Sequence, residues 1–201
     1  MDENTSREAR TLALLGMALY GDEKFEEANQ VYLRALTMLR TKEQGYGCYD
    51  HRNEFVMGQI LNCVGCSFYE KGFHKSASRS YLNALHVYLQ DIFASVLSTE
   101  ESQSVEFVLQ KVKENKNWIT HIPQPFVLDT AITFANLACV LINKQCFVLA
   151  ISCLRLSLKV CLCILRENSF SILVLNEFII IYGFLKIIVF LLLINLIFSF
   201  K

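Results

Sequence analysis

Two pairs of soft ligands stand close together in this chain: Cys48-x2-His51, then Cys63-x2-Cys66. Such pairs are the raw material of a tetrahedral zinc site, because thiolate sulfur and imidazole nitrogen are ligands that ion favours. The placement argues against it. Cys63 and Cys66 fall inside a helical apolar pattern, and the loop pair would have to fold back onto the one face they share. Cys139, Cys146 and Cys153 recur every seven residues and Cys161-x-Cys163 follows, but consecutive helices carry them and no single stripe results. Cysteine in such a setting packs as a small hydrophobe, so no metal or other cofactor is expected. The four histidines, His51, His74, His86 and His121, are scattered outside any nucleophile or metalloprotease motif. Glu26-Glu27 and Glu100-Glu101 sit near helix starts, where carboxylates suit the dipole better than acid–base work. No glycine-rich loop stands ready to cradle a phosphate. The residues point away from an enzyme.

The elements that carry these residues are helical. The chain has 201 residues, enough for one domain with a sizeable core, and its two prolines argue against a disordered chain. Nineteen basic residues balance nineteen acidic ones, and no basic stripe interleaves with aromatics, so nucleic acid is not an expected partner. The polar start MDENTSREAR is not a signal peptide, and the eight cysteines fit a reducing, cytoplasmic setting.

One spacing pattern is written three times. It reads Leu12, Leu15, Gly16, Leu19, Ala28, Tyr32, Ala35, and then Leu61, Val64, Gly65, Phe68, Ala77, Tyr81, Ala84. The third copy reads Phe134, Leu137, Ala138, Leu141, Ala150, Leu154, Ser157. In each copy 12 residues separate the first small residue from the second. Paired helices explain this, with small residues permitting close approach and large apolar ones filling the space around it. The first hairpin is expected at 7–20 and 24–41, with Asp22 as the second helix's N-cap. The second is expected at 55–70 and 74–92, joined at Lys71-Gly72, and the third within 126–166. Between them, 93–125 reads as an insertion with an amphipathic helix near 99–114. Ser98 and Glu101 are its expected capping box, and Val105, Val108, Leu109 and Val112 its apolar face. That helix either offers a partner surface or patches the edge of the fold.

The arrangement L-x2-L-G-x2-L followed by A-x3-Y-x2-A resembles the tetratricopeptide repeat, an antiparallel helix pair that stacks into a solenoid. Asn136-Leu137-Ala138, Ala35-Leu36 and Ala84-Leu85 resemble the longer, kinesin-light-chain-like type. The resemblance implies an all-α solenoid over residues 7–167, with repeats near 8–41, 57–92 and 126–166. Equivalent positions lie 49 and then 73 residues apart, so an irregular or interrupted superhelix is expected. It further implies a concave face lined by the first helix of each pair, which binds a protein or peptide. In this sequence that lining falls at Arg10, Ala13, Met17 and Tyr20, then at Gln59, Asn62, Cys66 and Tyr69, and last at Ile132, Ala135, Cys139 and Asn143. Tyr20 and Tyr69 either grip a peptide or pack the seam between repeats. The family's clamp for a C-terminal carboxylate needs Lys, Arg and Asn where Ala13, Met17, Cys63, Ile132 and Asn136 stand, so that mode is not expected.

Residues 169–201 form a very apolar tail. Seventeen of the 21 residues from Phe178 to Phe198 are Phe, Ile, Leu or Val. As a helix they would span about 31 Å, a bilayer core. At about −0.3 to −0.6 kcal/mol each, they outweigh the roughly 3 kcal/mol cost of Lys186. A membrane anchor over 178–198 holding a cytoplasmic repeat domain at an intracellular membrane is one expectation. A helix that caps the solenoid is another. The third is an aberrant end, since this residue vocabulary also comes from translating A/T-rich non-coding sequence. Exposed apolar surface would also favour self-association. On the anchor reading, the full chain stays with membranes during alkaline carbonate extraction, and a version ending at Asn168 is released.

Overall fold

The computed structural model describes residues 3–40, 51–93 and 104–167. Among them every regular element is helical, so the chain is all-α. The order is α1 (Glu3–Gly21), α2 (Phe25–Arg40), α3 (His51–Glu70), α4 (His74–Tyr88), α5 (Gln90–Phe93), α6 (Val105–Glu114), α7 (Val127–Asn143) and α8 (Phe147–Glu167). Two short 3-10 turns, Trp118–His121 and Gln124–Phe126, lead into α7.

Three helix pairs, α1/α2, α3/α4 and α7/α8, form the body. Each pair is joined by the same turn. In the first, Glu23 N–H donates to Tyr20 O at 3.0 Å and Lys24 N–H to Leu19 O at 2.9 Å. Gly72 and Phe73 donate to Tyr69 and Phe68 in the second, and Gln145 and Cys146 to Ile142 and Leu141 in the third. This pattern closes a helix by turning one residue into the left-handed region. That residue is Glu23, Gly72 or Gln145, with φ of 61°, 74° and 60°. Only the second turn uses the residue that adopts this conformation without strain. Asp22 is not the cap of α2. Its N–H donates to Ala18 O at the end of α1, and Lys24 O accepts from Ala28 N–H where α2 begins.

Within a pair, a tyrosine ring lies where a glycine leaves room. A Cβ on Gly16 would stand 2.4 Å from the Tyr32 ring, and one on Gly65 2.4 Å from the Tyr81 ring. The third copy makes the opposite trade, with Ala138 and the smaller Leu154 at the equivalent positions, both buried. A second trade repeats one helical turn pair away. Gly58 accommodates Tyr88, whose ring would meet a Cβ at 2.2 Å. Equivalent positions hold Ala9 with Leu39, and Ala131 with Cys161. Ser157, which departs from the repeated alanine, donates from Oγ to Ala131 O at 2.8 Å and so remains buried with its hydroxyl satisfied.

Successive pairs meet through α2 on α3 and α4 on α7. Because α4 touches α7 directly, the inserted segment does not separate the second pair from the third. It turns its apolar face inward instead. Val105, Val108 and Val112 are buried, Phe107 stacks on Phe93 at 6.3 Å, and the Trp118 ring meets Phe134 edge-on at 6.0 Å. The cap of α6 is Ser104, whose Oγ accepts from Phe107 N–H at 3.1 Å. Ser98 and Glu101 lie outside the described residues.

One helix, over Phe147–Ile164, is long and apolar enough to cross a membrane, with mean hydropathy 2.1. Here it packs along α7 with Ala150, Cys153, Leu154 and Val160 buried, while Arg155 and Lys159 are exposed. The segment expected to span a membrane, 178–198, lies outside the described residues.

The glycine–tyrosine fit sets a test. Gly65→Ala should cost about 1–3 kcal/mol, as overpacking does. Combining it with Tyr81→Leu, the third copy's solution, should recover part of that loss. Urea unfolding of the four members of the cycle reads the coupling.

Candidate binding cavity

The first helices of the three pairs lie side by side, α1 against α3 and α3 against α7. Helices that meet through large apolar residues give dry seams, but α3 and α7 carry polar ones at helical spacing, and they pair. Gln59 Nε2 donates to Asp129 Oδ2 at 3.2 Å. Asn62 Oδ1 accepts from Thr133 Oγ1 at 3.1 Å and from Asn136 Nδ2 at 3.2 Å. Asn136 Nδ2 also reaches Cys66 Sγ at 3.6 Å. At the far end, Asn143 Nδ2 donates to Tyr69 Oη at 3.0 Å.

Tyr20 and Tyr69 occupy one position of the repeat, and both serve the seam. Each ring rests on the first residues of its own second helix, Tyr20 on Phe25 at 5.3 Å and Tyr69 on His74 at 5.7 Å. Each hydroxyl bonds to the first helix of the next pair. Tyr20 Oη donates to Glu70 Oε1 at 3.4 Å, the counterpart of the Tyr69–Asn143 contact. Their packing role therefore accounts for both rings.

Nearer the start of α3, the first helices line a cavity of about 480 Å³. Of the twelve lining residues expected from the sequence, it brings together Arg10, Ala13, Met17, Gln59, Asn62 and Ile132. Tyr20, Cys66, Tyr69 and Asn143 belong instead to the seam. Ala135 and Cys139 are half-buried on α7, outside the cavity lining. Leu14, Phe55 and Asp129 complete much of the wall and were not expected there. Asp129 had a signal that pointed elsewhere, since a carboxylate in the first turn of a helix reads as a partner of the dipole. Leu14 and Met17 expose 66% and 53% of their surface at this wall, which is unusual for side chains of their size.

Electrostatics single out Asp129. Burial pushes its carboxyl above the ordinary range, opposed by the Gln59 hydrogen bond. Arg10 lines the same cavity, yet no ion pair joins the two. Behind the wall, Tyr88 is fully buried and its hydroxyl has no hydrogen-bond partner among the described residues. Its pKa is raised, first by burial and then by the charge of Asp129.

Burial keeps the thiols on α3 protonated at neutral pH, which disfavours nucleophilic attack. Burial, with Cys66 nearby, pushes Cys63 up to about 11, and burial also raises Cys66. Tyr32 offers its hydroxyl to Cys63, and Tyr81 Oη donates to Cys66 Sγ at 3.4 Å. Among the described residues no three His, Cys, Asp or Glu side chains gather as a metal site. Cys48 lies outside those residues. No family model, curated protein or solved structure matches this chain.

Burial of Asp129 has a consequence for stability. A carboxyl with a raised native pKa takes up its proton more readily when folded, so its ionisation costs stability as pH rises from the unfolded value through the native one. Asp129→Asn keeps an oxygen for Gln59 and removes that charge. The variant should melt higher than the parent at pH 7 and lose that advantage near pH 3, as read by thermal unfolding monitored by circular dichroism.

Proposed function

We infer that this chain is a non-enzymatic, tetratricopeptide-like adaptor whose first helices form a face that takes a peptide or helix from a protein partner. The cavity walled by α1, α3 and α7 carries the reading. It is concave, largely apolar, of a size suited to a few side chains, and edged by exposed Leu14 and Met17. Three observations support the tetratricopeptide-like part. The hairpin turns recur in one register, the small–large exchange is repeated, and Tyr20 and Tyr69 make equivalent contacts. Raised thiol pKa values and tyrosine-paired cysteines favour binding over nucleophilic chemistry on this face. Attachment to an intracellular membrane belongs to the same reading and rests on the apolar run 178–198, because α8 is committed to the third hairpin.

The test is selection of random displayed dodecapeptides on the full chain. Selected peptides should lose at least tenfold in affinity for Met17→Lys, which places a charge in the apolar wall. They should bind Leu33→Glu, altered on α2 away from the cavity, as they bind the parent. Peptides indifferent to Met17→Lys would place recognition on another face.

A further inference from the structure

We propose that the cavity between α1, α3 and α7 receives the basic side chain of a partner peptide, Lys or Arg, with its cationic head on Asp129 and its aliphatic stem along Met17 and Ile132. The inference rests on the peptide-binding reading and names the chemistry that the site selects.

The argument starts from an imbalance. Asp129 is an acid more than half removed from water, on a wall made mainly of Ala13, Leu14, Met17, Phe55 and Ile132. A carboxylate in that position needs hydrogen-bond donors or a cation. The described residues supply one neutral donor, the Gln59 amide, which holds Oδ2 alone. Arg10, the cation on the same cavity, makes no ion pair with Asp129. Behind the lining, the buried Tyr88 hydroxyl close to this charge also has no partner among the described residues.

What completes such a site is a cation on an apolar stem. Lys and Arg side chains lay methylenes along apolar surface and carry charge only at the tip. A head on Asp129 makes a charge-assisted hydrogen bond and offsets the desolvation that raises this carboxyl. At about 480 Å³ the cavity also has room for an apolar neighbour of the basic residue. A ligand acid would meet Asp129 as a like charge, and the acidic peptide below tests whether Arg10, the cation on the same lining, draws it instead.

The experiment is fluorescence polarisation of the full chain with labelled, amidated peptides Gly-Leu-Lys-Ile-Gly, Gly-Leu-Gln-Ile-Gly and Gly-Leu-Glu-Ile-Gly. The lysine peptide should bind at least tenfold tighter than the other two. Asp129→Asn should erase that preference while melting no lower than the parent, so that lost binding is not lost fold. A preference that survives Asp129→Asn, or equal affinity for all three peptides, would overturn the assignment. If those peptides still lose affinity with Met17→Lys, the peptide groove stands and only its charge selectivity falls. If no peptide binds, or none responds to Met17→Lys, the groove falls with it.

Discussion

A phenol ring lying where a glycine lacks its Cβ sets the geometry of this molecule. Tyr32 over Gly16 and Tyr81 over Gly65 bring two helices closer than ordinary side chains allow. The contact fixes how far each second helix stands from its first, and so where the next pair can dock. Neither half is replaceable alone. A methyl on the glycine meets the ring, and a small residue in place of the ring leaves a void. The third pair, with Ala138 and Leu154, shows that the sum of the two volumes is what must be kept.

The face made by the first helices follows different physics. Between α3 and α7 the contact is a ladder of amides, hydroxyls and a carboxylate, from Gln59–Asp129 at one end to Tyr69–Asn143 at the other. Net gains from such bonds are modest, but each becomes costly if its partner slides away. The ladder thus contributes alignment more than stability. Asp129 is its least satisfied member, with a single neutral donor and a half-buried position. A rung that satisfies the fold poorly is well placed to satisfy a ligand.

Much of the fold was legible in spacing. The repeated small residues and the tyrosines that oppose them read directly as paired helices, and the helical class followed from them. Gly72 announced its turn, whereas the same turn at Glu23 and Gln145 carried no glycine to mark it. Asp22 misled because aspartate is a common cap and the turn bond that excludes it depends on three-dimensional closure. Ser104 was hidden behind Ser98 and Glu101, a stronger motif on paper. The site was legible by half. Positions on first helices could be listed, but one periodic face serves both the seam and the cavity, and Gln59 and Asn62 belong to both while Cys66 and Tyr69 belong to the seam alone. Asp129 could not be found by pattern, because its importance lies in Arg10 sharing its cavity without forming an ion pair with it.

The inserted segment has a consequence for how the chain reaches this state. Contacts inside each pair join residues close in sequence, and those are the contacts that form fastest. The docking of α7 on α4 has to close a loop that contains all of α5, α6 and the two 3-10 turns. The entropic cost of that closure grows slowly with length but is met before the contact gives anything back. On a ribosome the first two pairs can therefore assemble while the insertion is still emerging. The wall that carries Asp129 arrives last, and the molecule spends the interval with half a cavity open to whatever else is nearby.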